Sequence, residues 1–269
     1  LRRFKLSKRA KNWAIVAAAF VVISAVQSCS YSGLRPLPTD SSTSAETSSQ
    51  SPVESPSETS SEYATPSASV SPSATQSTAS NSVLLKALDQ LAVKGRAPKT
   101  GYSRDLFSDG WGDIGQCDTR NYILQRDLTN VVWRAGEACI VESGVLHDPY
   151  TNTVINFLRG VGTSNAVQID HVVALSDAWQ KGAQKLSSAQ RYALYNDPLN
   201  LLAVDGPTNG QKSDSDAASW LPPNKSYRCS YVARQVAVKH KYSLWVTAAE
   251  KDAIKRVLAK CPGQKLPKN

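Results

Sequence analysis

The chain has 269 residues and a formal net charge of +9. This length allows one or two domains and excludes a large multidomain architecture. From residue 81 onward, 24 Lys and Arg residues stand against 17 Asp and Glu residues, which leaves a net charge of +7. Such a basic excess fits simple solubility, and it also fits binding to a polyanion such as nucleic acid.

Residues 1–29 are predicted to be an export signal. A basic start precedes an apolar run from Trp13 to Val26, which is shorter than the ~20 residues of a membrane span. The end of the run resembles the lipobox of bacterial lipoproteins, because the small residue Ser28 stands directly before Cys29. Lipidation of Cys29, ordinary cleavage nearby and an N-terminal anchor are the alternatives. The protein is therefore expected to be secreted, or attached to a membrane at the bacterial cell surface.

Residues 30–81 are predicted to form a disordered stalk. They are rich in Ser, Thr and Pro and have no apolar periodicity, so they cannot bury enough surface to offset the entropy of ordering. A globular domain is predicted over residues 82–262, followed by a tail at 263–269.

Four further cysteines agree with export. No pair has the CxxC spacing of a thiolate zinc site. Four cysteines allow three pairings; we favour Cys117–Cys139 and Cys229–Cys261, because each pair closes a local loop. In an oxidising compartment each disulfide would stabilise the fold by ~2–4 kcal/mol.

The hydrophobic pattern predicts an α+β domain that is mostly helical. Asp118 or Thr119 is placed to cap one helix, Ser187 caps another, and Thr247 with Glu250 forms a capping box. A turn is predicted at Ser143-Gly144 between two strand segments. Helices are predicted at 82–95, 117–128, 176–183, 187–197, from Gly206-Pro207 to Pro222, 227–244 and 247–261. Strands are predicted at 130–134, 138–148, within 149–160, at 166–175 and at 199–204.

The stretch "VQIDHVVAL" places Asp170 and His171 inside an apolar strand, where each buried polar group needs a partner. Asn200 opens the next strand, and Asn209 and Lys212 follow on the next helix. Because neighbouring residues of a regular strand point to opposite faces, Asp170 and His171 can serve one site only at a strand end, a bulge or a sheet edge.

This order of acid–His, Asn and NxxK resembles the HNH, or ββα-metal, nucleases. The flanking stretches "GYSRDLF", "CDTRNYILQRDL", "WLPPNKSYRC" and "LWVT" resemble secreted actinobacterial HNH proteins. These are related to the C-terminal nuclease domain of modification-dependent restriction enzymes. The resemblance spans about Ala87 to Cys261 and implies a small ββα-metal element inside the domain.

By this resemblance Asp170 and Asn209 bind one divalent metal, and His171 is the general base. Hard oxygen ligands suit Mg²⁺ or Mn²⁺ better than Zn²⁺, and an unperturbed pKa of ~6.5 keeps much of a histidine neutral near pH 7. Asn200 is expected to support the hairpin and the histidine. Arg120 and Lys212 are candidate contacts to substrate phosphate.

Each role has a plainer alternative. His171 could be a structural histidine, Asn200 could bond only to backbone, and Asn209 could be a helix N-cap. Arg120 could form an ion pair, and Lys212 could lie on a solvated helix face. We interpret Tyr102 and Arg104 as fold-defining, and residues 214–216 ("DSD") as a solvated helix face rather than a second metal site.

The sequence thus predicts an exported, metal-dependent HNH endonuclease that hydrolyses phosphodiester bonds of DNA, with RNA left open. No obligate protein partner is inferred. The rival hypothesis is a non-catalytic, surface-tethered module that binds DNA or another polyanion on an HNH-like scaffold.

Overall fold

The computed structural model describes residues 83–268. The predicted signal, Cys29 and the stalk at 30–81 lie outside the described residues. Within 83–268, none of the helices combines the length and apolarity that a membrane span requires. The helices are α1 (83–90), α2 (Thr119–Asp127), α3 (Leu175–Gln180), α4 (Ser188–Tyr195), α5 (Gly206–Lys212), α6 (Arg228–Lys241) and α7 (Ala248–Leu258). The strands are β1 (Asp113–Ile114), β2 (Cys117–Asp118), β3 (Leu128–Trp133), β4 (Val141–His147), β5 (Val154–Leu158), β6 (Val167–His171) and β7 (Leu201–Asp205).

The expectation of a mostly helical domain is wrong. Helices occupy fewer than half of the described residues, and the strands form three small antiparallel sheets, β1-β2, β3-β4-β5 and β6-β7. Ser143 and Gly144 do not form a turn but lie inside β4, where Ser143 pairs with Val132 and Leu158. A Cβ at Gly144 would stand 3.1 Å from the side chain of Leu128, so this glycine gives room for packing rather than for a turn.

Local capping signals place the helix starts correctly. Asp118 accepts a hydrogen bond from the backbone N–H of Asn121 and caps α2. Ser187 opens α4 with a capping box, and Thr247 and Glu250 form the expected capping box of α7. These side chains satisfy backbone donors that have no partner inside the helix.

Both predicted disulfides are confirmed. Cys117 is bonded to Cys139 and Cys229 to Cys261. The first ties β2 to the chain just before β4, and the second ties the start of α6 to the residues after α7. Cys261 is buried in the largest apolar cluster, which packs α1, α6 and α7 together.

The hairpin β6-β7 runs directly into α5, and α5 contacts both strands. Asp205 caps α5 by accepting from the N–H of Thr208, and Pro207 lies in the first turn, where no N–H is needed. The helix ends at Lys212 and not near Pro222 as expected. Ser213 has a φ of +51°, a left-handed conformation that stops the helix.

Candidate active site

A cleft of about 320 Å³ opens at the C-terminal end of β6. Its walls are formed by β6, the second half of α5 with the residues after it, the start of α3, and residues 99–104 of the segment between α1 and β1. Its polar lining includes Arg104, Asp170, His171, Ser176, Asn209 and Asp214. The cleft therefore brings together both halves of the Asp-His pair and the predicted Asn209.

The pair can share one cleft because His171 is the last residue of β6. The side chain of Asp170 contacts Tyr150 and Lys212, whereas His171 contacts Trp111 and Tyr195. The two side chains thus follow the alternation of a strand, and the end of the strand lets both of them line the cleft.

His171 is buried and held in one orientation. Its Nε2 lies 2.9 Å from the carbonyl oxygen of Tyr195, and its ring stacks on Trp111 with an interplanar angle of 8°. Because a carbonyl oxygen only accepts, Nε2 carries the proton, and the neutral ring keeps its lone pair on Nδ1. Burial, followed by the charge of Arg104, lowers the pKa of His171 to about 3. The imidazole is therefore neutral at physiological pH.

Asp170 sits in a dense set of contacts. Its Oδ1 accepts from Lys212 Nζ at 2.9 Å, and its Oδ2 accepts from the Tyr150 hydroxyl at 2.5 Å. Lys212 also donates to the carbonyl oxygen of His171 at 2.9 Å. Lys212 is fully buried, so it does not lie on a solvated helix face; it joins α5 to the end of β6.

Asn209 lies half-buried on α5 and donates through Nδ2 to Gln168 Oε1 at 2.9 Å. Its amide oxygen accepts no hydrogen bond from any described residue. It is not the N-cap of α5, since Asp205 has that position. Asn209 is thus available as an oxygen ligand on the cleft wall.

The cleft has a donor set that fits a single hard cation, although the described residues contain no group of three or more His, Cys, Asp or Glu side chains placed to hold a metal ion. Asp170 and Asn209 offer one carboxylate and one amide oxygen. Each carboxylate oxygen has a second lone pair beside its present hydrogen bond. Two protein ligands leave the other positions to water and phosphate, as is usual for Mg²⁺.

Asn200 is fully buried and stands directly before β7. Its side chain bonds to the backbone of Val173, two residues after the end of β6. Its Oδ1 accepts from the N–H of Val173 at 2.8 Å, and its Nδ2 donates to the Val173 carbonyl at 3.2 Å. Its own carbonyl accepts from Val172 N–H. These bonds fix the backbone immediately after His171, so Asn200 acts on the site only through position.

Arg120 lies apart from the cleft lining. It is mostly buried, and its nearest recorded acceptor is the carbonyl oxygen of Val167, at the opposite end of β6 from His171. Burial, with the charge of Arg159, lowers its pKa. No described carboxylate forms an ion pair with it, so the geometry supports neither the phosphate contact nor the alternative ion pair.

Arg104 is the site residue that the sequence analysis missed. It lines the cleft with His171, and its guanidinium lies 5.1 Å from the ring centroid of Tyr195 and donates to that hydroxyl at 3.2 Å. Tyr102 is also at the cleft wall. The only signal was its place in "GYSR", a loop far from the hairpin in sequence.

A buried ionic cluster stands behind the cleft. Lys181 Nζ lies 2.7 Å from Asp177, 2.6 Å from Asp216 and 2.6 Å from Glu250. Lys239 Nζ adds contacts to Asp177 at 3.2 Å and Glu250 at 2.5 Å. The expectation of a solvated face at 214–216 is therefore wrong for Asp216, which is buried because these cations pair with it and its neighbours.

Comparison with known proteins places the chain in a family. A family model described as "GmrSD restriction endonucleases, C-terminal domain" matches residues 118–257. An "Uncharacterized secreted protein" of Arthroderma benhamiae is 38% identical over 184 residues, which cover 68% of this chain and 86% of that protein. No solved structure matches.

Proposed function

Since the chain belongs to the family of GmrSD restriction endonuclease C-terminal domains, we propose that it is an HNH endonuclease that hydrolyses phosphodiester bonds of DNA or RNA. The observation that carries the proposal is the state of His171. Its Nε2 donates to the Tyr195 carbonyl oxygen, so its Nδ1 keeps a free lone pair. His171 lines the same cleft as Asp170 and Asn209. A binding module has no need of a neutral, oriented imidazole there.

In the proposed reaction His171 Nδ1 accepts a proton from water as the water oxygen attacks phosphorus. The bond between phosphorus and the leaving oxygen breaks, and that oxygen takes a proton from solvent. Asp170 and Asn209 would hold a divalent cation, Mg²⁺ or Mn²⁺. When bound, such a cation supplies charge neutralisation at the phosphate and at the leaving oxygen.

Lys212 has a different role from the phosphate contact expected from sequence. It is buried against Asp170 Oδ1 and the His171 carbonyl, and Tyr150 holds the other carboxylate oxygen. Together they fix the carboxylate and the end of β6 in one geometry. Lys212 and Tyr150 are therefore positioning residues in this proposal.

Removing divalent metal should abolish cleavage. The measurement is nicking of supercoiled plasmid by the purified chain with oxidised disulfides, in Mg²⁺ or Mn²⁺ and then in EDTA. Loss of nicking in EDTA and its return with added metal would support the proposal. Full activity in EDTA would contradict the metal-dependent mechanism, and a salt-sensitive gel shift without any cleavage would favour the binding module.

Arg104 is proposed to bind the scissile phosphate, because it carries a permanent charge on the cleft wall beside the base. Arg104→Gln should lower kcat/KM by about 10- to 100-fold, in line with the ~1.5–3 kcal/mol of a charged hydrogen bond. Arg134→Gln is the matched control, since Arg134 is an exposed arginine that pairs with Glu142. Equal effects of the two substitutions would show that Arg104 contributes only general charge.

Export is part of the proposal as well. The N-terminal apolar run, the two disulfides and a relative described as secreted support it. Attachment to a membrane through Cys29 rests on the sequence alone, and metabolic labelling with a radioactive fatty acid, compared between the native chain and Cys29→Ser, would test it.

A further inference from the structure

A second groove, separate from the catalytic cleft, lies between the start of α6 and one face of α7. It has a volume of about 590 Å³. Ala253, Arg256, Val257 and Lys260 follow helical spacing and form one wall. We call it the basic groove, after its four cationic residues Lys225, Arg228, Arg256 and Lys260.

The charge of this groove is uncompensated. No acidic residue lines it, and none of its four cationic side chains takes part in a salt bridge among the described residues. Lys225, Arg256 and Lys260 are exposed. Four positive charges in one groove are more than half of the net charge of +7 that the sequence has from residue 81 onward. Such a concentration without partners favours an anionic ligand.

A disulfide bond ties the two walls of the groove together. The Cys229–Cys261 disulfide joins the start of α6 to the end of α7, and Cys229 itself lines the groove. The lining also includes the apolar side chains of Ala217, Leu221 and Val257. A ligand with charged groups spaced along a partly apolar body fits this surface, and a nucleic-acid strand has that chemistry in its phosphates and sugars.

The groove and the catalytic cleft share one segment of chain. Ser213 and Asp214 line the cleft, and Ala217 and Ala218 line the groove. The Cα atoms of Asp214 and Ala217 are therefore at most about 11 Å apart. At one phosphate per ~3.4 Å of axis for each strand of a duplex, about three nucleotides span the distance between these two neighbouring lining residues.

We infer that the basic groove binds the phosphate backbone of the nucleic-acid substrate a few nucleotides from the bond that is cleaved. The inference rests on the proposed function, because it takes the occupant of the cleft to be a nucleic acid. It adds a second contact that lengthens the footprint of the enzyme on its substrate. It also gives a role to four cationic residues that lie outside the catalytic cleft.

The test is the binding of fluorescently labelled DNA by the purified chain, measured by anisotropy over a range of salt concentrations. The variant K225Q/R256Q/K260Q removes three exposed charges and leaves the half-buried Arg228 in place. Each lost phosphate contact should lower the slope of log K against log salt by ~0.9, so a decrease of about 2 to 3 is expected. The variant K86Q/K94Q/K185Q is the control, because it removes three exposed lysines that do not line either site.

The inference is supported if the groove variant has a much lower affinity for a long duplex, and a much smaller slope of log K against log salt, than the control variant. A duplex too short to extend beyond the cleft should then be bound equally by the wild-type chain and by both variants. It is overturned if the two variants behave alike. It is also overturned if the groove variant binds DNA normally but loses binding to vesicles that contain an anionic phospholipid. Plasmid nicking by the wild-type chain is measured in parallel: its absence contradicts the proposed function, whereas nicking with unchanged DNA affinity of the groove variant contradicts only the groove.

Discussion

His171→Ala should lower the rate of plasmid nicking by about 10²- to 10⁴-fold, the usual contribution of a general base. The imidazole is the only ring in the cleft that is held by a backbone acceptor on one nitrogen and keeps a lone pair on the other. Alanine removes that lone pair without adding charge or bulk. The loss should appear in single-turnover rates at saturating enzyme, because substrate binding does not depend on the base.

His240→Ala is the matched control, since His240 is an exposed histidine of α6 whose Nε2 lies 3.1 Å from Gln90. It should nick plasmid at the wild-type rate. Because His171→Ala removes a buried ring, it should unfold at a lower denaturant concentration than His240→Ala. Nicking is therefore compared under conditions in which circular dichroism shows both variants to be folded, which separates lost chemistry from lost folding. Near-normal nicking by His171→Ala would mean that another group activates the water, and the assignment of the base would then be wrong.

The strands β6 and β7 and the helix α5 could be predicted from sequence because they follow short-range rules, whereas Asp170, His171, Asn200 and Asn209 were selected as a site by the resemblance to the HNH nucleases. A β-branched run predicts a buried strand, and the Asp205-Gly206-Pro207 stretch favours a helix start soon after it. The capping residues of α2, α4 and α7 are local in the same way. Each of these signals lies within a few residues of the feature that it predicts.

What could not be predicted depends on contacts between distant parts of the chain. Arg104 reaches the cleft only because the loop before α2 packs against Tyr195, which is 91 residues away in sequence. The sequence predicted a phosphate contact for Lys212, with a solvated helix face as the alternative, because its partners on β6, the carboxylate of Asp170 and the carbonyl oxygen of His171, are more than 40 residues away in sequence. The β3-β4 pairing likewise overrode the turn propensity of Ser143-Gly144. Burial of polar groups is decided by such partners, and sequence does not show them directly.

Lys181→Met should lower the free energy of unfolding by about 3–5 kcal/mol, as expected when one partner of a buried ion pair is removed. Lys181 is fully buried and contacts three carboxylates, those of Asp177, Asp216 and Glu250. Without its ammonium these three acids are left with Lys239 and the exposed Arg96 as counter-charges. The measurement is urea unfolding of the oxidised protein at neutral pH.

The same cluster predicts a dependence on pH. Burial raises the pKa of Asp216, but the hydrogen bond and charge of Lys181 outweigh burial and lower the pKa overall. A carboxyl whose pKa is lower in the folded state contributes stability above its unfolded pKa of ~3.9, and that stability is lost as the pH falls below about 4. Wild-type protein should therefore lose stability more steeply in this range than Lys181→Met, in which Asp216 has lost its main partner.

Lys255→Met is the matched control, because Lys255 lies on the surface of α7 and pairs with the exposed Asp89 of α1. It should leave the urea midpoint almost unchanged, since exposed ion pairs contribute little and salt screens them. If Lys181→Met were no more harmful than this control, the cluster would not act as a buried network. A large loss of unfolding free energy in Lys181→Met would instead link the stability of the fold to the cleft. Asp177 lies in α3 and Lys181 directly follows it. Asp216 lies close after Ser213 and Asp214, which line the cleft.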